Sequence, residues 1–342
     1  MTGKQSEGDP GEGDLGLGDL TPEELSEGQA AALVLEEMLA LMSQSLVQTE
    51  IGELYHEVRQ LGQGRFGRVL LVSHRRRGSL MALKLLPKDL TPRHSFLYEF
   101  CVGLALGSHP GIVTNLGIGL ESHDCYGFLT EAAPQRDLVA FIQPKAGLPE
   151  PAAQRCAEQL AAALEHIHSR GLVYRDLKPE NVLVFDPECQ RVKLADFGHT
   201  RPRGTLLRLA GGPIPYTAPE LCAPPPRPEG LPIQPSLDAW ALGVVLFCLL
   251  TGYFPWERPL PGDPSYEEFA AWQASGLPRD RPPPWAGLAP PATQLLRGLL
   301  ALSPRERRGV GSIRGYLGKA WREPGRGKDG EGERGEEESD SQ

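Results

Sequence analysis

The chain has 342 residues, 40% of them hydrophobic, so it is long and apolar enough for one large domain or two small ones with a real core. Its formal net charge is −9 at pH 7, and the excess acids lie in residues 1–28 and 323–342, which leaves the middle nearly neutral. This charge distribution excludes a strongly basic protein, and we expect no nucleic-acid partner.

Both ends of the chain predict disordered, solvating tails over residues 1–20 and 323–342, because they are rich in Gly, Glu, Asp and Ser. The six cysteines are scattered without a metal-binding spacing, which favours free thiols in a reducing compartment. The polar, acidic start predicts no signal peptide. The longest apolar run, 239–254, is too short for a membrane span and indicates a buried helix. We therefore predict a cytoplasmic protein without membrane insertion.

A helical extension is predicted over residues 21–54. Thr21 can act as the N-cap, Pro22 occupies the first helical position and Glu24 completes a capping box. Apolar residues then recur at three- and four-residue spacings up to about residue 48. We interpret this segment as an accessory packing helix in preference to a helix with a specific partner.

Short β-rich runs occupy residues 55–86, separated by glycine and by the turn HRRRGS, which is the pattern of an antiparallel meander. A helix is expected over His94–Leu106, followed by the strand-like runs IVTNLGIGLE and CYGFLTE. After Pro134 the chain becomes mainly helical, and one helix ends at Gly171. The order of elements predicts an α+β protein in which a small β-rich lobe precedes a larger helical lobe.

A glycine-rich stretch, LGQGRFGRV (61–69), joins the first two strands. Its G-x-G-x-x-G pattern alone is a weak signal, because dinucleotide-binding folds share it. Here a strand follows the loop, and Lys84 lies downstream where those folds carry an acid. A lysine in a nearly buried strand needs an anion, and Glu99 is the only acid between Asp89 and Glu121. We predict a Lys84–Glu99 pair; the alternative is an exposed lysine on an edge strand.

The stretch LVYRDLKPENVLV (172–184) places charges between two apolar runs, which is costly unless they are paired or bound to a metal. The triplets Asp-Phe-Gly (196–198) and Ala-Pro-Glu (218–220) follow. Together with the glycine loop and A-x-K, these motifs occur in the order of the protein-kinase signature set. The chain therefore resembles the protein kinases over residues 55–322. The resemblance implies the bilobal protein-kinase fold and transfer of the γ-phosphoryl group of ATP with Mg²⁺.

The resemblance assigns catalytic roles to the charged stretch. Asp176 would accept or orient the proton of the substrate hydroxyl, and Lys178 would offset charge on the transferring phosphoryl group. Asn181 and Asp196 would supply oxygen ligands for magnesium, which prefers hard ligands of this kind. Lys178 also resembles the serine/threonine group of kinases, so protein Ser and Thr hydroxyls are the implied substrates. Tyr174 replaces the usual His, a substitution familiar in active kinases.

The nucleotide site follows from the same resemblance. Each apolar residue in it is also compatible with ordinary core packing. Thr130 matches the gatekeeper position, Glu131 the first hinge residue and Asp137 the residue that meets the ribose. The residues expected to sandwich the adenine are Leu61, Val69, Ala82 and Leu183, and the other cofactor-binding residues are Gly62, Gln63, Gly64, Arg65, Phe66, Gly67, Arg68, Lys84 and Glu99.

Two supporting features are implied for the helical lobe. Asp238, at the start of the apolar helix, would brace the catalytic loop from below. Glu220 would pair with Arg307 or Arg308, and the sequence leaves both open.

The segment before Ala-Pro-Glu departs from the family in part. Pro213 stands where Ser/Thr kinases commonly carry a threonine. Arg175 would in many relatives bind a phosphorylated residue of this segment, and Thr200 and Thr205 are the acceptors available. Either Thr205 is the switch or the segment needs no phosphate.

Two acids, Asp137 and Glu180, indicate which residues the kinase prefers near the acceptor of its protein substrate. In kinases that prefer arginine upstream of the acceptor, acids at the positions of Asp137 and Glu180 meet that arginine. A third family acid is replaced by Cys248. The resemblance implies a moderate preference for one basic residue upstream.

Proline-rich segments cover residues 223–235, 257–264 and 279–285. In the second, Arg258, Pro261 and Pro264 have the R-x-x-P-x-x-P spacing of a polyproline ligand for SH3-type grooves, although a rigid loop is the commoner explanation. With YRDLKPEN and DFGHTRPRG, these prolines most resemble the SH3-binding domain kinase family. The alternative function is a pseudokinase or scaffold that presents proline motifs to SH3 domains; the intact catalytic motifs favour activity.

Overall fold

The computed structural model describes residues 20–64, 67–207, 215–222, 230–275 and 281–324. The predictions for most of the two acidic tails, for Arg65 and Phe66 of the glycine loop, and for Pro213 lie outside the described residues, as do residues 223–229 and 276–280 of the proline-rich segments.

The smaller lobe is built on one sheet of six strands in the order β1-β5-β6-β4-β3-β2. Alternating apolar residues of its central strands form a buried core. All neighbouring strands are antiparallel except β1 and β5, which run parallel. The strands are β1 Val47–Gln48, β2 Tyr55–Gln63, β3 Arg68–His74, β4 Leu80–Pro87, β5 Asn115–Glu121 and β6 Cys125–Thr130.

Helices α1 (Pro22–Gln44) and α3 (Arg93–Leu106) accompany this sheet, with the single turn α2 (Ile51–Leu54) between them in sequence. The predicted capping box is present: Thr21 Oγ1 accepts from the backbone N–H of Glu24, and the Glu24 carboxylate accepts from the N–H of Thr21. The extension is less helical than predicted. After α1 ends, Val47–Gln48 joins the sheet edge beside β5, because an extended chain there satisfies the open hydrogen-bonding groups of β5.

The larger lobe is mainly helical and contains most of the core. Nearly every residue of its central helix is buried, which explains the long apolar run of the sequence. In the part of the chain that the structure describes, no helix is long and apolar enough to cross a bilayer. Four tryptophans are fully buried around this helix. The helices are α4 Glu150–Ser169, α5 Ser236–Thr251, α6 Pro264–Ser275 and α7 Pro290–Leu299.

Three two-stranded ribbons lie where the helical lobe faces the sheet. The hairpin of β8 (Val182–Val184) and β9 (Val192–Leu194) follows the charged stretch. The segment after Asp196 pairs twice with the lobe, as β10 with β7 and as β11 with β12, and therefore has a defined course up to residue 207. These ribbon strands are β7 Leu172–Val173, β10 Arg201–Pro202, β11 Leu206–Leu207 and β12 Leu231–Pro232.

Candidate active site

A cavity of about 380 Å³ lies between the two lobes. All four residues predicted to sandwich an adenine line it: Leu61, Val69 and Ala82 from the sheet and Leu183 from β8. The cavity is also lined by polar and charged residues, which include Thr130, Asp137, Asn181, Lys84, Glu99 and Asp196. These apolar and polar residues predicted for the nucleotide site therefore surround one cavity.

Three charged side chains from both lobes meet at one wall of this cavity. Lys84 Nζ lies 2.5 Å from Glu99 Oε1 and 3.1 Å from Asp196 Oδ2. Lys84 is on β4, Glu99 is on α3 and Asp196 lies two residues after β9, so the contact ties helix and sheet to the helical lobe. The exposed-lysine alternative is therefore wrong.

Two of these three groups favour their charged forms, whereas burial raises the pKa of Glu99 in spite of its contact with Lys84. Burial disfavours the ammonium of Lys84, but the neighbouring carboxylates of Glu99 and Asp196 outweigh it and raise the lysine pKa above its ordinary value. Burial would likewise raise the pKa of Asp196, but Lys84 and the backbone N–H of Gly198 lower it below the usual range. Lys84 is a cation and Asp196 an anion at neutral pH.

The charged stretch forms a compact hydrogen-bonded turn. Asp176 is 4% exposed, and both of its carboxylate oxygens lie 3.0 Å from Lys178 Nζ. Asn181 Nδ2 donates to Asp176 Oδ2 at 2.7 Å and to the Asp176 carbonyl at 2.9 Å. The three predicted catalytic residues are thus brought together, which explains why a buried run carries these charges.

Asp238 braces this turn as predicted. It is fully buried, and its carboxylate accepts from the backbone N–H groups of Tyr174 and Arg175 and contacts His168 Nε2 at 2.7 Å. Arg175 has a φ of 70°, a left-handed conformation that is unfavourable for a side chain of this size. The Asp238 hydrogen bonds hold the backbone in this conformation next to Asp176.

The glycine loop is described except for its tip. Gly64 N donates to Gly67 O at 2.8 Å, and Gln63 pairs with Arg68 across the loop. A Cβ atom on Gly67 would lie 2.2 Å from the carbonyl oxygen of Leu85, so only glycine fits there. Of the predicted loop residues that the structure describes, those that line the cavity are Leu61, Gly62 and Val69.

Glu131, the predicted first hinge residue, has its side chain outside the cavity. Its carboxylate accepts from Lys193 Nζ at 2.5 Å and from the backbone N–H of Thr114 at 2.7 Å, behind the cleft. Burial would raise the pKa of Glu131, but these hydrogen bonds lower it below its ordinary value. Lys193 is a buried cation, and its need for an anion draws Glu131 away from the cavity.

Sequence reasoning missed several cavity residues. They come from different elements, such as α3, β5 and β6, and only the tertiary fold brings them to the cleft. Gly103 and Asn115 border Phe197 at the inner end of the cavity. The others include Val113, Phe128, Ala133 and Ala195.

The open choice for Glu220 is resolved in favour of Arg307. Its two terminal nitrogens lie 2.6 and 2.7 Å from the two Glu220 oxygens, and both side chains are buried. Arg308 instead contacts the hydroxyl of Tyr316. The buried bidentate pair anchors the Ala-Pro-Glu turn to the helical lobe.

Similarity to known proteins agrees with this site geometry. The protein kinase domain family matches residues 55–317. The chain belongs to the protein kinase family. Protein kinases in general use ATP and Mg²⁺ and act on protein substrates. The predicted bilobal α+β fold is confirmed.

The most similar kinases include two named serine/threonine-protein kinase SBK2. The mouse protein is 68% identical over 331 residues, which cover 94% of this chain and 91% of the relative. The human protein is 66% identical over 331 residues, 94% of this chain and 95% of the relative. Zebrafish serine/threonine-protein kinase SBK1 is 45% identical over 288 residues, 84% of this chain and 74% of the relative. The predicted membership of the SH3-binding domain kinases, a serine/threonine kinase group, is confirmed.

We expect Arg307→Met to lower the free energy of unfolding of this kinase by about 3–5 kcal/mol, because it leaves the buried Glu220 carboxylate unpaired. Arg308→Met is the matched control, since Arg308 is exposed and loses one hydrogen bond, worth about 0.5–1.5 kcal/mol. Urea unfolding at neutral pH measures both. Equal losses in the two variants would contradict the assignment of the pair.

Proposed function

We propose that this kinase transfers the γ-phosphoryl group of ATP to Ser and Thr hydroxyls of proteins, with Asp176 as the group that accepts or orients the hydroxyl proton. The observation that carries the proposal is the contact of Lys84 with both Glu99 and Asp196, beside the Asp176 turn. A scaffold has no use for this arrangement across two lobes, so the pseudokinase alternative gains no support.

The residues present fit a magnesium nucleotide. The apolar walls of the cavity suit a planar base, and the Lys84 ammonium supplies positive charge for phosphates. Asp196 and Asn181 would hold Mg²⁺ through oxygen ligands, in keeping with a cation that prefers one or two carboxylates plus substrate phosphates. When bound, the metal neutralises charge on the phosphoryl oxygens.

The protein residues then have separate tasks. Asp176 receives or aligns the proton of the attacking hydroxyl, and its buried carboxylate is kept in place by Asn181 and Lys178. Lys178 is half-buried, with its ammonium 3.0 Å from Asp176, and it can move from Asp176 to the transferring group. Labelled-phosphate transfer from γ-labelled ATP to a Ser/Thr peptide library tests the proposal. Absence of transfer by pure, folded chain would sink it.

We also propose a moderate preference for one basic residue upstream of the acceptor. Asp137 and Glu180 both line the cavity, and Glu180 is exposed. Cys248 replaces the third family acid; burial and the nearby Glu180 raise its pKa, so the thiol stays neutral. Exposed ion pairs contribute about 0–1 kcal/mol, so the preference should be moderate and fall with salt.

Glu180→Gln tests this preference. In a positional-scanning peptide library, we expect the enrichment of upstream Arg or Lys to shrink by a few-fold in the variant, in line with the ~0–1 kcal/mol of an exposed pair. Glu188→Gln, at an exposed glutamate outside the cavity, is the matched control. Parent enrichment that is absent, or unchanged in Glu180→Gln, would show that Asp137 and Glu180 serve only the ribose and the solvated loop.

For the motif at residues 258–264 we propose the rigid-loop alternative. Asp263 Oδ2 accepts from the backbone N–H groups of Glu257 and Arg258, Gly262 has a φ of 97°, and Pro264 begins α6. An SH3 ligand needs a continuous polyproline II conformation, which such a turn interrupts. SH3 domains are titrated with the folded chain and with a free peptide of residues 258–264. We expect no binding to the folded chain, even where the peptide binds. Equal binding to both would refute the proposal.

We propose a cytoplasmic location. All six cysteines are free thiols, which suits a reducing compartment. Fractionation of cells that express a tagged chain tests this, and recovery in a secretory fraction would refute it.

A further inference from the structure

Helix α1 contacts two parts of the kinase whose relative position the proposed chemistry requires. Its N-terminal half lies against β10 in the segment that follows Asp196, and the helix also packs on α3, which carries Glu99. This helix precedes the residues 55–317 that match the protein kinase domain. One helix outside the family domain therefore spans both lobes beside the catalytic residues.

The contact with the segment is a close approach of backbones. A Cβ atom on Gly28 would lie 2.0 Å from the carbonyl oxygen of Arg203, and one on Gly171 would lie 2.6 Å from that of Glu27. Only glycine fits at either position without movement of the backbone. Since glycine is unfavourable inside a helix, Gly28 is explained by this contact and not by helix formation.

Opposite charges accompany the backbone contact. The Arg203 side chain is 11% exposed, and its Nη1 lies 3.0 Å from Glu27 Oε2 and 3.5 Å from Glu24 Oε1. The backbone N–H of Arg203 donates to the carbonyl of Gly171 at 2.8 Å. A cation this well covered needs anions, and α1 supplies both.

The other end of α1 is fixed to the smaller lobe. Leu35 and Leu39 are buried in the core that contains Phe100 of α3. Arg93, at the start of α3, donates to the carbonyl oxygen of Ser43 at 2.8 Å, in the last turn of α1. A cation at a helix C-terminus is favourable. A shift of α1 must therefore move α3, the segment, or both.

Residues 200–203, in the segment after Asp196, already have partners for their polar side chains, so a phosphate is not needed to order them. Thr200 is fully buried, and its hydroxyl donates to a backbone carbonyl. Arg201 stacks on Tyr98 of α3 at 4.5 Å and donates to two carbonyls of the segment. Arg203 is paired with α1, so Arg201 and Arg203, two cations close to Thr205 in sequence, already have partners.

We propose that Glu24, Glu27 and Gly28 are positioning residues that hold α3 and the segment after Asp196 in the arrangement seen at the active site, so that activity does not require phosphorylation of Thr205. The carboxylates of α1 supply in the same chain the negative charge that a phosphate would bring. This inference rests on the proposed phosphoryl transfer.

Gly28→Leu in the full chain tests the backbone contact. We expect the side chain to displace α1 and lower kcat/KM by roughly 10- to 100-fold, since a misplacement of about 1 Å can cost that much. Gly52→Leu is the matched control, because a Cβ atom at Gly52 meets nothing within 4 Å. Kinetics are taken at a temperature where melting curves show both variants folded. A folded Gly28→Leu variant with the kinetics of the parent would overturn the proposal.

A charge exchange gives an independent test should Gly28→Leu not fold. Arg203→Glu places a third acid beside Glu24 and Glu27, and we expect kcat to fall several-fold, in proportion to a lost network of partly exposed pairs. The triple variant Glu24→Arg, Glu27→Arg, Arg203→Glu should recover most of that loss. Parent-like kcat in Arg203→Glu, or no recovery in the triple variant, would contradict the role of these charges.

Thr205→Ala and phosphatase-treated parent complete the test. We expect both to retain the activity of the untreated parent. Loss of activity in either one would overturn the proposal that phosphorylation is not needed. An inactive parent would instead contradict the proposed phosphoryl transfer, so the two failures can be told apart.

Discussion

Asp176→Asn is expected to lower kcat by ~10²–10⁴-fold while the fold is retained, because a positioned acid–base group contributes about this much. The change is isosteric, and Asn181 and Lys178 still surround the site. It removes the acceptor for the hydroxyl proton without creating a cavity. Steady-state transfer of labelled phosphate, together with a melting curve, measures activity and folding separately.

The matched control for this variant is Asp89→Asn, at an exposed aspartate on the surface of the smaller lobe. It changes the same functional group and the same charge. We expect its kcat to equal that of the parent. Equal loss in both variants would mean that the effect of Asp176→Asn does not come from the active site.

Lys84→Met is expected to have the second large effect, on stability and activity together. Glu99 has a side chain that is 10% exposed and would remain without its closest cation. Loss of one partner of a buried ion pair costs about 3–5 kcal/mol. Removal of a preorganised charge from a reacting group typically costs about 10²–10³-fold in kcat. Urea unfolding and phosphate transfer measure the two losses.

The double variant Lys84→Met, Glu99→Leu separates these effects. Replacement of a buried ion pair by apolar groups is often neutral or stabilising, so we expect the free energy of unfolding to recover. Activity should not recover, because the phosphates still lack their cation. Lys319→Met, at an exposed lysine outside the cavity, is the control. Recovery of activity in the double variant would contradict the role of Lys84 in the cleft.

The sequence predicted best those site residues whose chemistry is costly elsewhere. A lysine in a buried strand, two acids and an amide between apolar runs, and an acid at the start of an apolar helix each require a partner. The Lys84–Glu99 pair followed from that requirement, whereas the family resemblance implied the Asp238 brace. Ordered motifs along the chain then limited the fold to one family.

The remaining features depend on contacts between residues far apart in sequence. Glu131 was predicted as the first hinge residue from the family resemblance, and nothing local in the sequence indicated that Lys193, 62 residues on, binds its carboxylate. Neighbouring arginines at 307 and 308 are equivalent in sequence, and only tertiary contacts, such as that of Arg307 with the Trp240 ring, distinguish them. A helix was predicted after Thr21, and α1 is that helix. Its position on Arg203 could not be derived from a pattern of local periodicity.

The assembled charges of the cleft are proposed to transfer phosphate with magnesium. The most direct measurement is mass spectrometry of a Ser/Thr peptide incubated with ATP and Mg²⁺ in the presence of the parent or the Asp176→Asn variant. We predict phosphate on the Ser or Thr hydroxyl with the parent, and almost none with the variant or after chelation of the metal. Equal phosphate with parent and variant, or transfer that persists without the metal, would contradict the account.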